Sequence, residues 1–435
     1  MEKRLIMFYN ITHKGGCSMA RRKNTYAYSR LNPNGRSSYR RRGIRWNRII
    51  PVGGAILFVL ILVVAFNFSR MRLIVKGYSF SEQNEILELT SDKINTILEQ
   101  DKMDHISTWI EKSKKVNYYD EYEKYYSYHQ NMKSKDVIAT VDEIFDNYVK
   151  KMHGYTDDQL WKILKNASIA DMKYLSSHHY SYKDMSPYMK VKGFVYQDMD
   201  RYVELYNKVK NYNYAVLYTS YPFIDSSNKT DKHYNIKNPS SLTLLVKKGF
   251  YFSSSYRPKD LVKPDAKYLP SNKRNNDNPY LRKAAYEAFK NMYNDAKKEN
   301  LTLLLNSCYR GYNEQKGIYE DMQKKYGALY ASTNVAIPGS SEHQTGLGMD
   351  ITSKSVDDGK SLVFGNTQEY KWLKANCYKY GFVIRYQGDK TKMTGITNEP
   401  WHIRYVGKET AKQMTDNNWC LEEYVLYTGN LPEIK

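Results

Sequence analysis

"SSEHQTGLGMD" spans Ser340 to Asp350. It sets His343 seven residues before Asp350, with Gly346 and Gly348 between them. Glycines permit a tight backbone path, so the two side chains can converge on one ion. Further on, "EPWH" (Glu399–His402) supplies a second histidine with a carboxylate three residues before it. Of the nine histidines in the chain, only His343 and His402 follow residue 233.

The run "WHIRYV" from Trp401 alternates as a strand. His402 would share one face with Arg404 and Val406, leaving Trp401, Ile403 and Tyr405 on the other. Two imidazoles and one carboxylate suit a single Zn²⁺ with its fourth position open. Glu399 can then approach an attacking water without occupying the metal. Zinc lowers the pKa of a coordinated water to about 7, and a nearby carboxylate can pass its proton to a leaving amine. Arg310, in "SCYRGYNEQ", is the candidate cation for a substrate carboxylate or an oxyanion. A lone loop histidine is usually structural. The weight here comes from five such residues (Arg310, His343, Asp350, Glu399, His402) falling in one predicted domain, at loops or strand ends.

The flanking sequence reads as α+β with a mainly antiparallel sheet flanked by helices. Helical spacing runs from Tyr280 after Asn278-Pro279, from Asn313 to Gly327, from Thr367 to Gly381 and from Lys408. Strands are predicted at Leu242, at Leu301, at "MDI" (Met349–Ile351), at "FVIRY" and at "WHIRYV". This domain is bounded at 242–435, after a Ser/Asn/Lys-rich linker over 224–241.

The 435 residues suggest two to three domains, and 41% hydrophobic content excludes global disorder. Of the net charge of +21, +12 lies in residues 1–48, which leaves +9 on the rest. Residues 49–68 carry no charge and are mostly apolar, long enough for one transmembrane anchor. A cleaved signal peptide is the rival reading. The long preceding region and the length of the run favour a retained anchor. Arginines before the run would keep residues 1–48 in the cytoplasm, with the remainder outside the plasma membrane. The basic tail then needs no nucleic-acid partner. Cys308, Cys377 and Cys420 would be external, forming one disulfide or none.

Residues 72–223 contain a repeat at a constant offset of 77: "GYSFSEQNEIL" at Gly77 against "GYTDDQLWKIL" at Gly154. The copies cover about 77–153 and 154–223. Each is expected to open with a helix and close with a strand, "VIATV" at Val137 and "YAVLYT" at Tyr214, as a duplicated α/β spacer or wall-binding region.

Three segments together resemble one family. "SEHQTGLGMD" resembles the S-x-H-x-x-G-x-A-x-D motif of VanY-type zinc D-alanyl-D-alanine carboxypeptidases, peptidase family M15. "EPWHIRYVG" resembles that family's E-x-W-H segment, and "NSCYRGYNEQ" its S-G-Y-R-S-x-x-x-Q segment. The resemblance covers roughly 240–427. It implies His343, Asp350 and His402 as zinc ligands, Glu399 as base, and Arg310 at the substrate carboxylate or oxyanion. Gln315 and Ser341 match motif positions, and Ser307, Tyr309 and Trp401 would shape the site. Gly348 stands where the family usually has Ala, Cys308 where it has Gly, and Gly311 where it has Ser. The implied activity is release of D-Ala from peptidoglycan stem peptides ending in D-Ala-D-Ala. Its rivals are a murein endopeptidase, a D-Ala-D-Ala dipeptidase, and a non-catalytic zinc-stabilised wall-binding module.

Overall fold

The computed structural model describes residues 57, 58, 61, 67–274 and 279–434. The basic tail and most of 49–68 lie outside these described residues. The expected transmembrane helix is corrected on one finding: among the described residues, no helix is long and apolar enough to cross a membrane. The chain forms two units, Met1–Val75 and Lys76–Lys435. In the first, described residues 67–75 are helical.

The second unit opens with an all-helical array. Its first five helices are α1 (Phe80–Leu87), α2 (Ser91–Glu99), α3 (Ile106–Lys112), α4 (Tyr119–Tyr128) and α5 (Ser134–Asn147). The same order recurs in α6 (Asp157–Leu164), α7 (Ile169–His178), α8 (Tyr182–Met189), α9 (Met199–Val209) and α10 (Tyr212–Ser220). Both halves open on a left-handed glycine, Gly77 (φ 88°) and Gly154 (φ 82°). Each is followed by a reciprocal cap, Ser79 with Glu82 and Thr156 with Gln159, which satisfies two orphan amides at the helix start.

The α/β reading of this region is therefore corrected. "VIATV" lies inside α5, where Val137, Val141 and Ile144 are buried at spacings of four and three. Five apolar-rich residues do not separate the two periods; the longer run does. "YAVLYT" lies inside α10, capped by the Asn211 side chain, which accepts from the Tyr214 amide at 2.8 Å.

The array packs directly on the C-terminal part of the same unit. Asn211 and Asn213 donate to the Tyr427 carbonyl (3.1 and 3.2 Å), and Lys192 donates to the Pro432 carbonyl (3.2 Å). Between them run two short pairings: β1 (Tyr234–Asn235) parallel to β2 (Phe250–Tyr251), and β3 (Leu261–Val262) antiparallel to β4 (Leu281–Arg282). The strand expected at Leu242 shrinks to β2. The Leu242 and Leu244 carbonyls instead accept from the Arg404 guanidinium at 3.0 and 2.9 Å.

The site is carried by a four-stranded sheet, β5 (Leu303–Ser307), β6 (Gly348–Ser353), β7 (Phe382–Tyr386) and β8 (Glu399–Tyr405), ordered β5-β6-β8-β7 and antiparallel throughout. One face is apolar: Leu303, Leu305, Met349, Ile351, Phe382, Ile384 and Ile403. It packs on α11 (Lys283–Lys298), whose Ala285, Phe289, Met292 and Ala296 form an amphipathic stripe. Each fully buried large side chain here stabilises by about 1.5–3 kcal/mol. The helices α12 (Tyr312–Tyr326), α13 (Ala328–Asn334), α14 (Lys354–Asp357), α15 (Gln368–Asn376), α16 (Thr391–Thr394), α17 (Lys408–Asp416) and α18 (Leu421–Thr428) complete the region. Cys308, Cys377 and Cys420 are buried, and among the described residues no disulfide joins them.

Candidate active site

Side chains alternate across a strand, so a strand apolar on one side can present polar groups on the other. Here the opposite face of the sheet carries Asp350 on β6 and His402 and Arg404 on β8. The β6–β8 register pairs Asp350 directly with His402. Directly opposed residues on one face stand close enough for their side chains to touch. The Asp350 Oδ1 lies 2.9 Å from His402 Nδ1.

His343 reaches the same point from a single 3₁₀ turn, Glu342–Thr345. Gly346 ends that turn in the left-handed region (φ 66°). A Cβ there would meet Leu261 Cδ2 at 2.9 Å and Arg282 Cγ at 3.0 Å, so glycine is required on both counts. His343 Nδ1–H donates to the Cys308 carbonyl at 2.7 Å, which turns Nε2 toward Asp350 Oδ2 at 3.6 Å. One donor atom from each of His343, Asp350 and His402 lies within 4.8 Å of the others, a cluster that could hold a metal ion.

The electrostatics favour a cation among these groups. Burial pushes His343 down to about 4 and so keeps it neutral, as a ligand must be. Burial also opposes charge on His402, but the Asp350 and Glu342 carboxylates outweigh it and raise the group to about 9. Burial acts to raise Asp350, yet its hydrogen bond to His402 brings it down to about 2.

A cavity of about 590 Å³ opens on this cluster. Arg310, Gln315, Ser341, Glu399 and Trp401 line it together with the three clustered residues. Arg310 Nη1 donates to Gln315 Oε1 at 2.8 Å, and the buried Gln315 is fixed in turn by donating to the Ala336 carbonyl at 2.8 Å. The Arg310 amide also donates to the His343 carbonyl at 3.2 Å, which couples the cation to the turn. Glu399 opens β8 opposite Tyr386, and burial raises its carboxyl pKa. Trp401 stays exposed at the cavity wall.

Ser307 and Tyr309 are not among the lining residues. Ser307 pairs with Asp350 in the β5–β6 ladder, and the Tyr309 ring lies under the Arg257 guanidinium. Sequence reasoning missed Glu342, Arg385, Glu422, Lys247 and Tyr386. All five belong to the cavity lining; the Tyr386 ring lies 5.1 Å from that of His402, and the other four form a buried charge chain. An arginine in the middle of the apolar run "FVIRY" was the available signal: a buried guanidinium demands buried carboxylates.

Residues 278–408 match the family model described as VanY: D-alanyl-D-alanine carboxypeptidase. YodJ of Bacillus subtilis (strain 168) is 43% identical over 202 residues, 46% of this chain and 73% of that protein. A D-alanyl-D-alanine carboxypeptidase of Enterococcus faecium is 40% identical over 153 residues, 34% of this chain and 45% of that one. The solved LdcB LD-carboxypeptidase is 43% identical over 46% of this chain and 92% of that chain, with a TM-score of 0.41. The class is therefore that of an enzyme, a peptidase. Within it, the chain belongs to the VanY family of D-alanyl-D-alanine carboxypeptidases.

Proposed function

We propose that this chain removes the terminal D-Ala from peptidoglycan stem peptides ending in D-Ala-D-Ala, using one zinc ion, and that it acts at the cell wall, outside the plasma membrane. The observation that carries the reading is the convergence of His343, Asp350 and His402 in one cavity with Glu399 and Arg310. The donor set fits the metal: two imidazole nitrogens and one carboxylate, with His343 already oriented by the Cys308 carbonyl. Zinc, when bound, supplies Lewis acidity and makes water nucleophilic near neutral pH.

The chain's own residues do the rest. Arg310, braced by Gln315, presents a planar fork to the substrate's terminal carboxylate. That anchor sets which peptide bond lies beside the cluster. Glu399 accepts the proton of the attacking water and returns it to the departing D-Ala amine. A carboxyl whose pKa is raised by burial is suited to both halves of that transfer. Ser341 and Trp401 border the peptide. A cavity of about 590 Å³ accommodates residues upstream of the cut, which favours a longer peptide over a free dipeptide.

The test is incubation of the full chain with a synthetic stem pentapeptide ending in D-Ala-D-Ala, read by mass spectrometry with and without a zinc chelator. Chelator-sensitive loss of one alanine is the expected result. Loss of a dipeptide or an internal cut would keep the peptidase and change the bond. No product from zinc-loaded protein would overturn the reading.

A further inference from the structure

Beside His402, in the lining of the same cavity, runs a chain of buried charges that the proposed chemistry does not use. Glu342 adjoins His343 in the 3₁₀ turn and is fully buried. Its Oε1 accepts from Arg385 Nε at 2.8 Å and lies 2.9 Å from Arg404 Nη1. Arg385 donates through Nη1 and Nη2 to both oxygens of Glu422, each at 2.9 Å, and Lys247 closes the chain at 3.3 Å from Glu422. The second carboxylate oxygen of Glu342 faces His402 Nε2 at 3.7 Å, and neither atom has another hydrogen-bond partner among the described residues.

We propose that Glu342 is a positioning residue for His402, accepting the Nε2 proton so that Nδ1 presents its lone pair to the metal. This rests on the zinc reading above. His402 turns Nδ1 toward Asp350, 2.9 Å from Oδ1, and its ring stands 5.0 Å from that of His343. For Nδ1 to bind a cation, the ring proton must sit on Nε2, and a buried N–H requires an acceptor. Glu342 Oε2 is in place for that role. A shift of about 0.8 Å closes the gap to ordinary hydrogen-bond length. With a metal held between them, Asp350 and His402 would no longer share a hydrogen bond, and the ring would be free to make it.

Each histidine then has its own orienting acceptor: the Cys308 carbonyl for His343, the Glu342 carboxylate for His402. The two arginines fix the Glu342 carboxylate in place through Oε1, which leaves Oε2 toward His402. Gly348 leaves room for it, since a Cβ there would meet the Glu342 backbone at 3.2 Å. Lys247 and Glu422 lie outside the family-matched residues 278–408, so this chain braces the acceptor with segments beyond that stretch.

The test compares full-length wild type with Glu342→Gln, Glu342→Asp and Glu422→Gln. Zinc affinity is read by competition with a chromophoric chelator, and folding by the melting of metal-free protein. In Glu342→Gln the amide oxygen is drawn to the two guanidiniums, leaving an NH₂ donor against Nε2 and forcing the wrong tautomer. Glu342→Asp keeps the buried charge, and so the fold, but withdraws the oxygen from His402. Both are expected to bind zinc about 10- to 100-fold more weakly. Glu422→Gln disturbs the same charge chain without touching His402 and should retain near wild-type zinc affinity. Wild-type affinity in Glu342→Asp, or an equal loss in Glu422→Gln, would overturn the positioning role. Failure of wild type itself to bind zinc would overturn the zinc reading and this inference with it.

Discussion

Replacing Glu399 by Gln separates proton transfer from every other function of the site. Glu399 lines the cavity but is not one of the three clustered residues, so the variant should keep one zinc per chain. It should still bind peptide, because Arg310 and Gln315 are untouched. On the proposed mechanism, what it loses is the group that takes and returns a proton. Such a group contributes about 10²- to 10⁴-fold, or roughly 3–5 kcal/mol of barrier. Stability should move the other way. Burial raises the Glu399 pKa in the folded protein, so the ionised carboxylate is disfavoured by folding. That cost is absent below the unfolded pKa and fully present above the folded one. At pH 7 the neutral amide removes it, so the melting temperature should hold or rise. The assay pairs stem-peptide turnover by mass spectrometry with zinc analysis and a thermal melt. Turnover within about tenfold of wild type at full zinc occupancy would refute the base assignment.

The same geometry sets four further outcomes. In wild type, kcat/KM should fall as pH drops through the raised Glu399 pKa, above the ordinary carboxylate range, and that acid limb should vanish in Glu399→Gln. Arg310→Lys keeps the charge but loses the planar fork and its 2.8 Å bond to Gln315; steady-state kinetics should show KM raised about tenfold or more with kcat less affected. Arg385→Met strands Glu342 and Glu422 without their shared cation, and a denaturant midpoint should report a loss of about 3–5 kcal/mol. Gly346→Ala places a methyl 2.9 Å from Leu261 Cδ2 at a left-handed position and should cost about 1–3 kcal/mol in the same measurement, with weakened zinc binding because the His343 turn moves.

The sheet region was legible because its signals are local. "FVIRY" became β7 (Phe382–Tyr386), and Gly327 and Gly381 end their helices at φ 90°. The three clustered residues were legible because motif spacing fixes which side chains meet. The repeat misled where it was shortest: five residues of "VIATV" carry both periods, and only the full burial pattern of α5 chooses helix. The charge chain was not legible, since Lys247, Glu342, Arg385 and Glu422 lie far apart in sequence and are joined only by tertiary packing. Ser307 followed its motif position and pairs with Asp350 just past a bulge in the β5–β6 ladder, yet it is not among the residues that line the cavity.

The pairing of Asp350 with His402 across β6 and β8 has a consequence for assembly. Side chains in a sheet alternate with a period of two, so slipping one strand by a single residue turns its whole inward set outward. A misregistered β6–β8 ladder could satisfy its backbone and still put one of these two residues among the leucines. A slip of two residues keeps both on one side but draws them apart, and only the native register sets them directly opposite one another. Metal capture would therefore act as a proofreading step during folding, trapping the one alignment that works and leaving the near misses free to unzip.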